Sequence, residues 1–245
     1  MDDRSQSTKG RSVACRAGVR AAESGRWLWA GKVGTQQCCA PARSLSRGAR
    51  DETLAAYTVV NALENWFCST GCWRRLTQSR MLPWMISGAS LGDHVLEIGA
   101  GPGAATQELR RQAPRVTSLE WSHAFAASLA ARNQGGNVVQ GDAAILPFAD
   151  KSFSSVIAVL VLHHLRSSEL QDRALREIYR VLRPGGVFLA AEIPDGWLQR
   201  AIHWKSTFVP FPVTGIPARL AAAGFSHATI ASKRAGFQFQ AFKQN

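Results

Sequence analysis

The stretch Val95-Leu96-Glu97-Ile98-Gly99-Ala100-Gly101-Pro102-Gly103 constrains this chain more than any other: a short apolar run passes straight into glycines, and a helical Ala104-Ala105-Thr106-Gln107-Glu108-Leu109 follows. Runs of this kind suit strands covered on both faces, as in a parallel sheet. Glycines let the backbone approach a ligand closely and take dihedrals that a Cβ forbids. The start of the helix beyond them offers N–H groups without intrahelical partners. In an open parallel sheet, ligands settle at the carboxyl end of such a strand, beside the point where strand order reverses. Gly99-x-Gly101-x-x-Ala104 also satisfies the dinucleotide fingerprint, so the loop alone divides evenly between nucleotide-type cofactors.

The alternation continues downstream. Strands are expected over His94 to Ile98, Val116 to Glu120, Asn137 to Gln140, Ser155 to Leu160 and Val187 to Glu192, with helices near 103 to 112, 122 to 132 and 168 to 182. Pro184-Gly185-Gly186 ends the last of these helices and turns the chain into the fifth strand. A looser stretch with Pro194, Pro210, Pro212 and Pro217 then leads to a helix at Ile216 to Ala223 and strands at Ala228 to Ser232 and Phe237 to Phe242. The short link Lys233-Arg234-Ala235-Gly236 suits a hairpin. The expected architecture is α/β: a Rossmann-like, doubly wound, mostly parallel seven-stranded sheet with a C-terminal antiparallel hairpin strand. Ahead of it, Val59, Leu63, Trp66, Phe67, Leu76 and Met81 recur at spacings near three and four, which predicts two short amphipathic helices between Leu54 and Ile86, with Pro83 breaking the pattern.

Charge sets the domain boundaries. Of the formal net charge of +12, residues 1 to 50 hold ten Lys or Arg against three acids, and the remainder nineteen against fourteen. Residues 1–52 therefore read as a basic, patternless arm, for which disorder is the expectation. Residues 53–245 read as one domain, with N-terminal helices at 53–90, a cofactor-binding core at 91–192 and a substrate-side segment at 193–245. Charge concentrated in an arm rather than on a domain face argues against nucleic acid as the main partner. Asp2 and Asp3 argue against an organelle transit peptide, and no apolar run is long enough to span a bilayer. The five cysteines are odd in number and lack paired metal-type spacing, which fits a reduced cytoplasm; Cys68 and Cys72 are expected to be small buried hydrophobes.

Three features refine the cofactor. Glu120 ends the second strand, 21 positions after Gly99, and its carboxylate could accept both hydroxyls of a ribose. Gly141-Asp142-Ala143 follows the third strand and precedes Leu146-Pro147-Phe148, which places an acceptor where an adenine amino group would lie. Glu97 stands directly before the glycines, where a pyrophosphate gains nothing from negative charge but an ammonium and a sulfonium do.

With these residues in place, the chain from about Asp93 to Glu192 resembles the class I S-adenosylmethionine-dependent methyltransferases, in particular the small-molecule branch that includes quinone-biosynthesis enzymes. Its marks are Val95 to Gly103, Gly141 to Phe148, Leu162-His163-His164-Leu165 and Leu175-Arg176-Glu177-Ile178-Tyr179-Arg180-Val181-Leu182-Arg183-Pro184-Gly185-Gly186. The resemblance implies S-adenosylmethionine as cofactor, Gly99, Gly101 and Gly103 against its methionine portion, Glu120 on the ribose, Asp142 near adenine, and Leu160 to Leu162 closing the site. The expected cofactor-binding set is Glu97, Gly99, Ala100, Gly101, Gly103, Glu120, Trp121, Asp142, Ala143 and Leu160. Trp121-Ser122 departs from the small polar or acidic residues usual after the ribose acid, and the tail after Glu192 matches nothing in the family. The implied reaction is direct in-line displacement onto a small, apolar or aromatic acceptor, which needs no conspicuous catalytic triad. Other readings are a cofactor-binding protein without turnover, an RNA methyltransferase using the basic arm, and a nicotinamide-dependent oxidoreductase.

His163 and His164 are the candidate catalytic side chains, since imidazole titrates near working pH. On an extended segment neighbours point opposite ways, so one of the two could face the pocket. No acid orienter is identifiable near them in sequence, and no third ligand with sensible spacing completes a metal site, so none is expected. Trp197, His203, Trp204 and Phe208 form either an apolar substrate wall or packing against the helix of residues 54 to 66.

Overall fold

The computed structural model describes residues 60–132 and 136–245; the basic arm, its boundary at residue 52, Leu54 and Val59 lie outside the described residues. Seven strands, β1 (His94–Ile98), β2 (Arg115–Glu120), β3 (Asn137–Gln140), β4 (Phe153–Val159), β5 (Leu182–Glu192), β6 (His227–Lys233) and β7 (Gly236–Phe242), form one sheet in the order β3-β2-β1-β4-β5-β7-β6. β1 to β5 are parallel, and β7 runs antiparallel to both β5 and β6. This is the doubly wound sheet with an antiparallel hairpin that the alternation predicts.

Period-two alternation covers both faces. Leu96, Ile98, Val156, Phe188 and Ala190 join Leu175, Ile178 and Leu220 in one core. Val95, Ile157, Val187 and Leu189 pack on the other side with Leu82, Met85 and Leu109. The helices that cover the faces are α4 (Thr106–Gln112), α5 (His123–Arg132), α6 (Ser168–Val181) and α8 (Ile216–Ala223). After β3 the chain crosses to the far side of β1 and enters β4. The loops that leave the carboxyl ends of β1 and β4 therefore diverge, and a crevice opens there.

The N-terminal helices depart from expectation. They run as α1 (Ala62–Ser69), α2 (Gly71–Leu76), a π turn at Thr77–Met81 and α3 (Leu82–Ile86), so Pro83 does not end them. Leu82 donates its N–H to Thr77 O, five residues back, and Pro83 falls in the first turn of α3. A proline inside an α-helix loses a hydrogen bond and clashes one turn back; the wider π turn makes room for it.

Nor does the apolar stripe pack on the sheet: Leu63, Trp66, Phe67 and Leu76 are exposed, while Glu64 is buried. The polar side of α1 faces the domain because the Asn61 side chain, which caps α1, also donates to Ile202 O at 2.8 Å and Trp204 O at 3.2 Å. Those carbonyls belong to and follow α7 (Trp197–Ile202), a helix within the proline-rich stretch that no periodicity announces. Cys72 is exposed rather than buried, and Cys68 is half-buried, with its thiol pushed up to about 11 by burial and by the nearby Glu64 carboxylate. Among the described residues no helix is long and apolar enough to cross a membrane.

Candidate functional site

The glycine loop lies at the crevice, and its three expected glycines differ in what requires them. Gly99, Gly101 and Gly103 all have positive φ, at 68°, 52° and 86°. A Cβ on Gly99 would stand 2.2 Å from Val161 Cγ2, and one on Gly103 would stand 2.6 Å from Leu129 Cδ1, so both are also required by packing against the protein itself. A Cβ on Gly101 would meet nothing within 4 Å. Of the three, Gly101 alone faces open space.

Glu120 fixes that space from the next strand. Its Oε2 accepts the Gly101 N–H at 2.8 Å and its Oε1 accepts the Ser122 N–H at 2.8 Å. The carboxylate thus pins the middle of the loop while one lone pair on each oxygen remains for another donor. Burial raises the Glu120 carboxyl above its ordinary value, against the pull of those backbone donors. Gly99 and Ala100 donate to Leu119 O at 2.9 and 3.1 Å, tying the loop's first residues to β2.

Glu97 lies on the face of β1 that meets α4. Its Oε2 accepts the hydroxyls of Thr106 and Ser118, each at 2.7 Å, and the side chain is 2% exposed. Burial pushes its pKa up to about 7 even with those two donors present. Glu97 is therefore an acid beneath the loop, satisfied by side-chain hydroxyls rather than by backbone.

On the far side, Asp142 Oδ1 accepts the Ala144 N–H at 2.8 Å and Asp142 bridges to Ile145, which shapes a turn that leaves Ala143 half-buried. Trp121 is exposed at the mouth, with the Arg166 guanidinium 5.7 Å from its ring centroid. Leu160 holds the left-handed region at φ 51° while its N–H donates to Ala191 O at 2.9 Å. A non-glycine residue there is strained, and the next residue, Val161, lies against Gly99.

The residues that hold these loops escaped the sequence reading. Arg180 donates to Leu146 O at 3.0 Å, Phe148 O at 2.8 Å, Asp150 at 2.7 Å and Glu177 at 2.8 Å, while Glu177 accepts the Leu146 N–H at 2.9 Å. Both stand in the motif from Leu175 to Gly186, and their i, i+3 spacing of opposite charge was the available signal.

The histidines need correction. His163 has an orienter: its Nδ1 lies 2.5 Å from Glu192 Oε2, and both side chains are buried. Glu192 Oε1 also accepts the N–H groups of Val161 and Leu162 at 3.1 and 2.7 Å. The partner lies on the adjacent parallel strand β5, 29 positions on, which local spacing cannot reveal. His164 places Nδ1 3.0 Å from Thr207 O, and desolvation followed by the neighbouring His163 lowers its pKa to about 3. The third imidazole missing from the sequence argument is His203, whose ring stands 5.1 Å from that of His163 and 5.4 Å from that of His164. His203 and Phe208 pack inward, stacked at 4.6 Å, whereas Trp197 and Trp204 are exposed.

With this geometry in view, residues 96–190 match the family described as methyltransferase domain. That segment is a methyltransferase domain on a class I, Rossmann-like sheet. The demethylmenaquinone methyltransferase of Thermobifida fusca is 35% identical over 121 residues, covering 46% of this chain and 50% of that protein. That of Renibacterium salmoninarum is 32% identical over 142 residues, covering 58% and 56%. The chain thus spans about half the length of the curated relatives it matches. A crystal structure from Thermotoga maritima, titled an S-adenosylmethionine-dependent methyltransferase and possible histamine N-methyltransferase, superposes with a TM-score of 0.59 at 20% identity, over 74% of this chain and 94% of that one. Within that sheet the glycine loop, Glu120, Asp142 and Leu160 stand at or just beyond the carboxyl ends of β1, β2, β3 and β4.

Proposed function

We propose that this methyltransferase domain transfers a methyl group from S-adenosylmethionine to a small aromatic acceptor of the quinone class. The observation that carries the cofactor reading is the open space at Gly101, bordered by a Glu120 carboxylate that retains acceptor capacity. Gly101 and Ala100 would lie against the amino-acid portion of the cofactor and Glu120 would accept the ribose hydroxyls. Asp142 and Ala143 would border adenine, Trp121 would cover the ribose edge, and Leu160 would close the methyl end. Gly99 and Gly103 support the loop through Val161 and Leu129. Glu97, ionised when a cation binds above it, would offset the ammonium charge. When bound, the cofactor supplies an electrophilic sulfonium methyl; the chain's own task is to hold the acceptor in line with it and exclude water. The quinone class rests on the curated relatives above, whose names specify demethylmenaquinone.

The test has two arms. Isothermal titration should show binding of S-adenosylhomocysteine and none of NAD, and NAD binding alone would overturn the cofactor reading. Incubation with methyl-labelled S-adenosylmethionine and demethylmenaquinone should place label in the quinone. Tight S-adenosylhomocysteine binding with no label in that acceptor would overturn the quinone reading and leave the cofactor reading standing.

A further inference from the structure

We propose that Glu64, His163, His164 and His203 form a closed four-ligand site for a divalent transition-metal ion, zinc by the chemistry of the set. One ring nitrogen from each of the three histidines lies within 4.8 Å of the others. Ligand nitrogens on a tetrahedral zinc at about 2.1 Å stand about 3.4 Å apart, so the cluster needs to close by at most about 1.4 Å. The residues come from α1, the turn after β4 and the end of α7.

The orientation of the rings is the second observation. All three direct Nδ1 at an acceptor: His163 at the Glu192 carboxylate at 2.5 Å, His164 at Thr207 O at 3.0 Å, and His203 at Gln199 O at 2.7 Å. Metal-ligating histidines donate their other ring N–H to a carboxylate or backbone carbonyl in this way, which fixes the tautomer that presents Nε2. The stacked ring of Phe208 supplies an apolar wall beside the cluster.

The third observation is a buried carboxylate beside the cluster. Glu64 Oε2 accepts the Asn61 N–H at 2.5 Å, and Glu64 Oε1 pairs with His203 Nε2 at 3.0 Å. An ion bound at His203 Nε2 would take the place of that pair and leave the carboxylate at hand as the fourth ligand. With four protein ligands the site is structural: it ties α1 and α7 to the end of β4, and no step of methyl transfer passes through it. It stands independently of the proposed acceptor and cofactor.

The full chain, stripped with a chelator and dialysed, should bind one equivalent of zinc at submicromolar Kd and gain several degrees in Tm with zinc but not magnesium. Cobalt(II) should give the intense visible bands of a tetrahedral ion without thiolate charge transfer. Glu64→Gln, His164→Ala and His203→Ala should each weaken zinc at least tenfold, with His164→Gln as substitute where an alanine variant does not fold. No zinc-dependent Tm shift in the parent would overturn the proposal. So would a thiolate band, or zinc affinity unchanged in a folded His164 or His203 variant, since either would place the ion elsewhere.

Discussion

Replacing Glu120 by alanine should damage ligand binding and the loop together. In the structure its carboxylate accepts two backbone N–H groups, from Gly101 and Ser122, both at 2.8 Å, and the side chain is 8% exposed. Hydrogen bonds to a charged group contribute about 1.5 to 3 kcal/mol, and a buried donor left unpaired costs about 1 to 3 kcal/mol. Raised by burial, the Glu120 carboxyl already sits at some expense in its ionised form, which offsets part of that gain. Glu120→Ala should therefore lower unfolding free energy by about 1 to 3 kcal/mol, as water replaces part of what is lost. Loss of the ribose contact should weaken S-adenosylhomocysteine by ten- to a hundredfold, or about 1.5 to 3 kcal/mol. Glu120→Gln retains one acceptor and should be intermediate in stability. Titration calorimetry at a temperature where both variants are folded by circular dichroism reads the affinity, and urea unfolding reads the stability. A folded Glu120→Ala variant with parental affinity and parental stability would refute the reasoning.

The pKa of Glu97, raised from 4.5 to about 7, means the folded protein keeps a proton that the unfolded chain has released between those pH values. Stability should therefore fall as pH rises through that window, by about 3 kcal/mol at roughly 1.4 kcal/mol per pH unit, and Glu97→Gln should remove this dependence in urea unfolding curves. If Glu97 ionises beneath a cationic ligand, S-adenosylmethionine affinity should rise with pH up to about 7 in the parent and stay flat in Glu97→Gln. Arg180→Met removes the clamp on Leu146 O and Phe148 O and should cost about 1 to 3 kcal/mol of stability. It should also speed amide exchange across residues 143–148 and weaken S-adenosylhomocysteine several-fold; unchanged exchange there would show that the loop holds itself.

The doubly wound, mostly parallel sheet and its antiparallel hairpin were legible because the core strands carry short apolar runs bounded by turns and alternate with helices. The glycine loop was legible as a motif, but its division of labour was not. Gly99 and Gly101 look alike in sequence, and only the distance from Val161 separates a packing glycine from one that faces the crevice. Glu192 and His203 were out of reach for a different reason: their partners come from neighbouring strands and from α1, at separations that no local period encodes. The apolar stripe of α1 misled, because spacing reports that a helix is amphipathic and not which face it buries. Here Asn61 and Glu64, not Leu63 and Trp66, make the attachment.

The account rests on the space at Gly101 belonging to the cofactor, and Gly101→Asn tests this most directly. Asparagine tolerates the left-handed backbone at φ 52°, and its Cβ would touch no protein atom within 4 Å, so the domain should fold with a Tm within a few degrees of the parent. Calorimetric titration with S-adenosylhomocysteine should then show affinity reduced more than a hundredfold. A folded Gly101→Asn variant that binds S-adenosylhomocysteine as tightly as the parent would contradict the assignment of the loop.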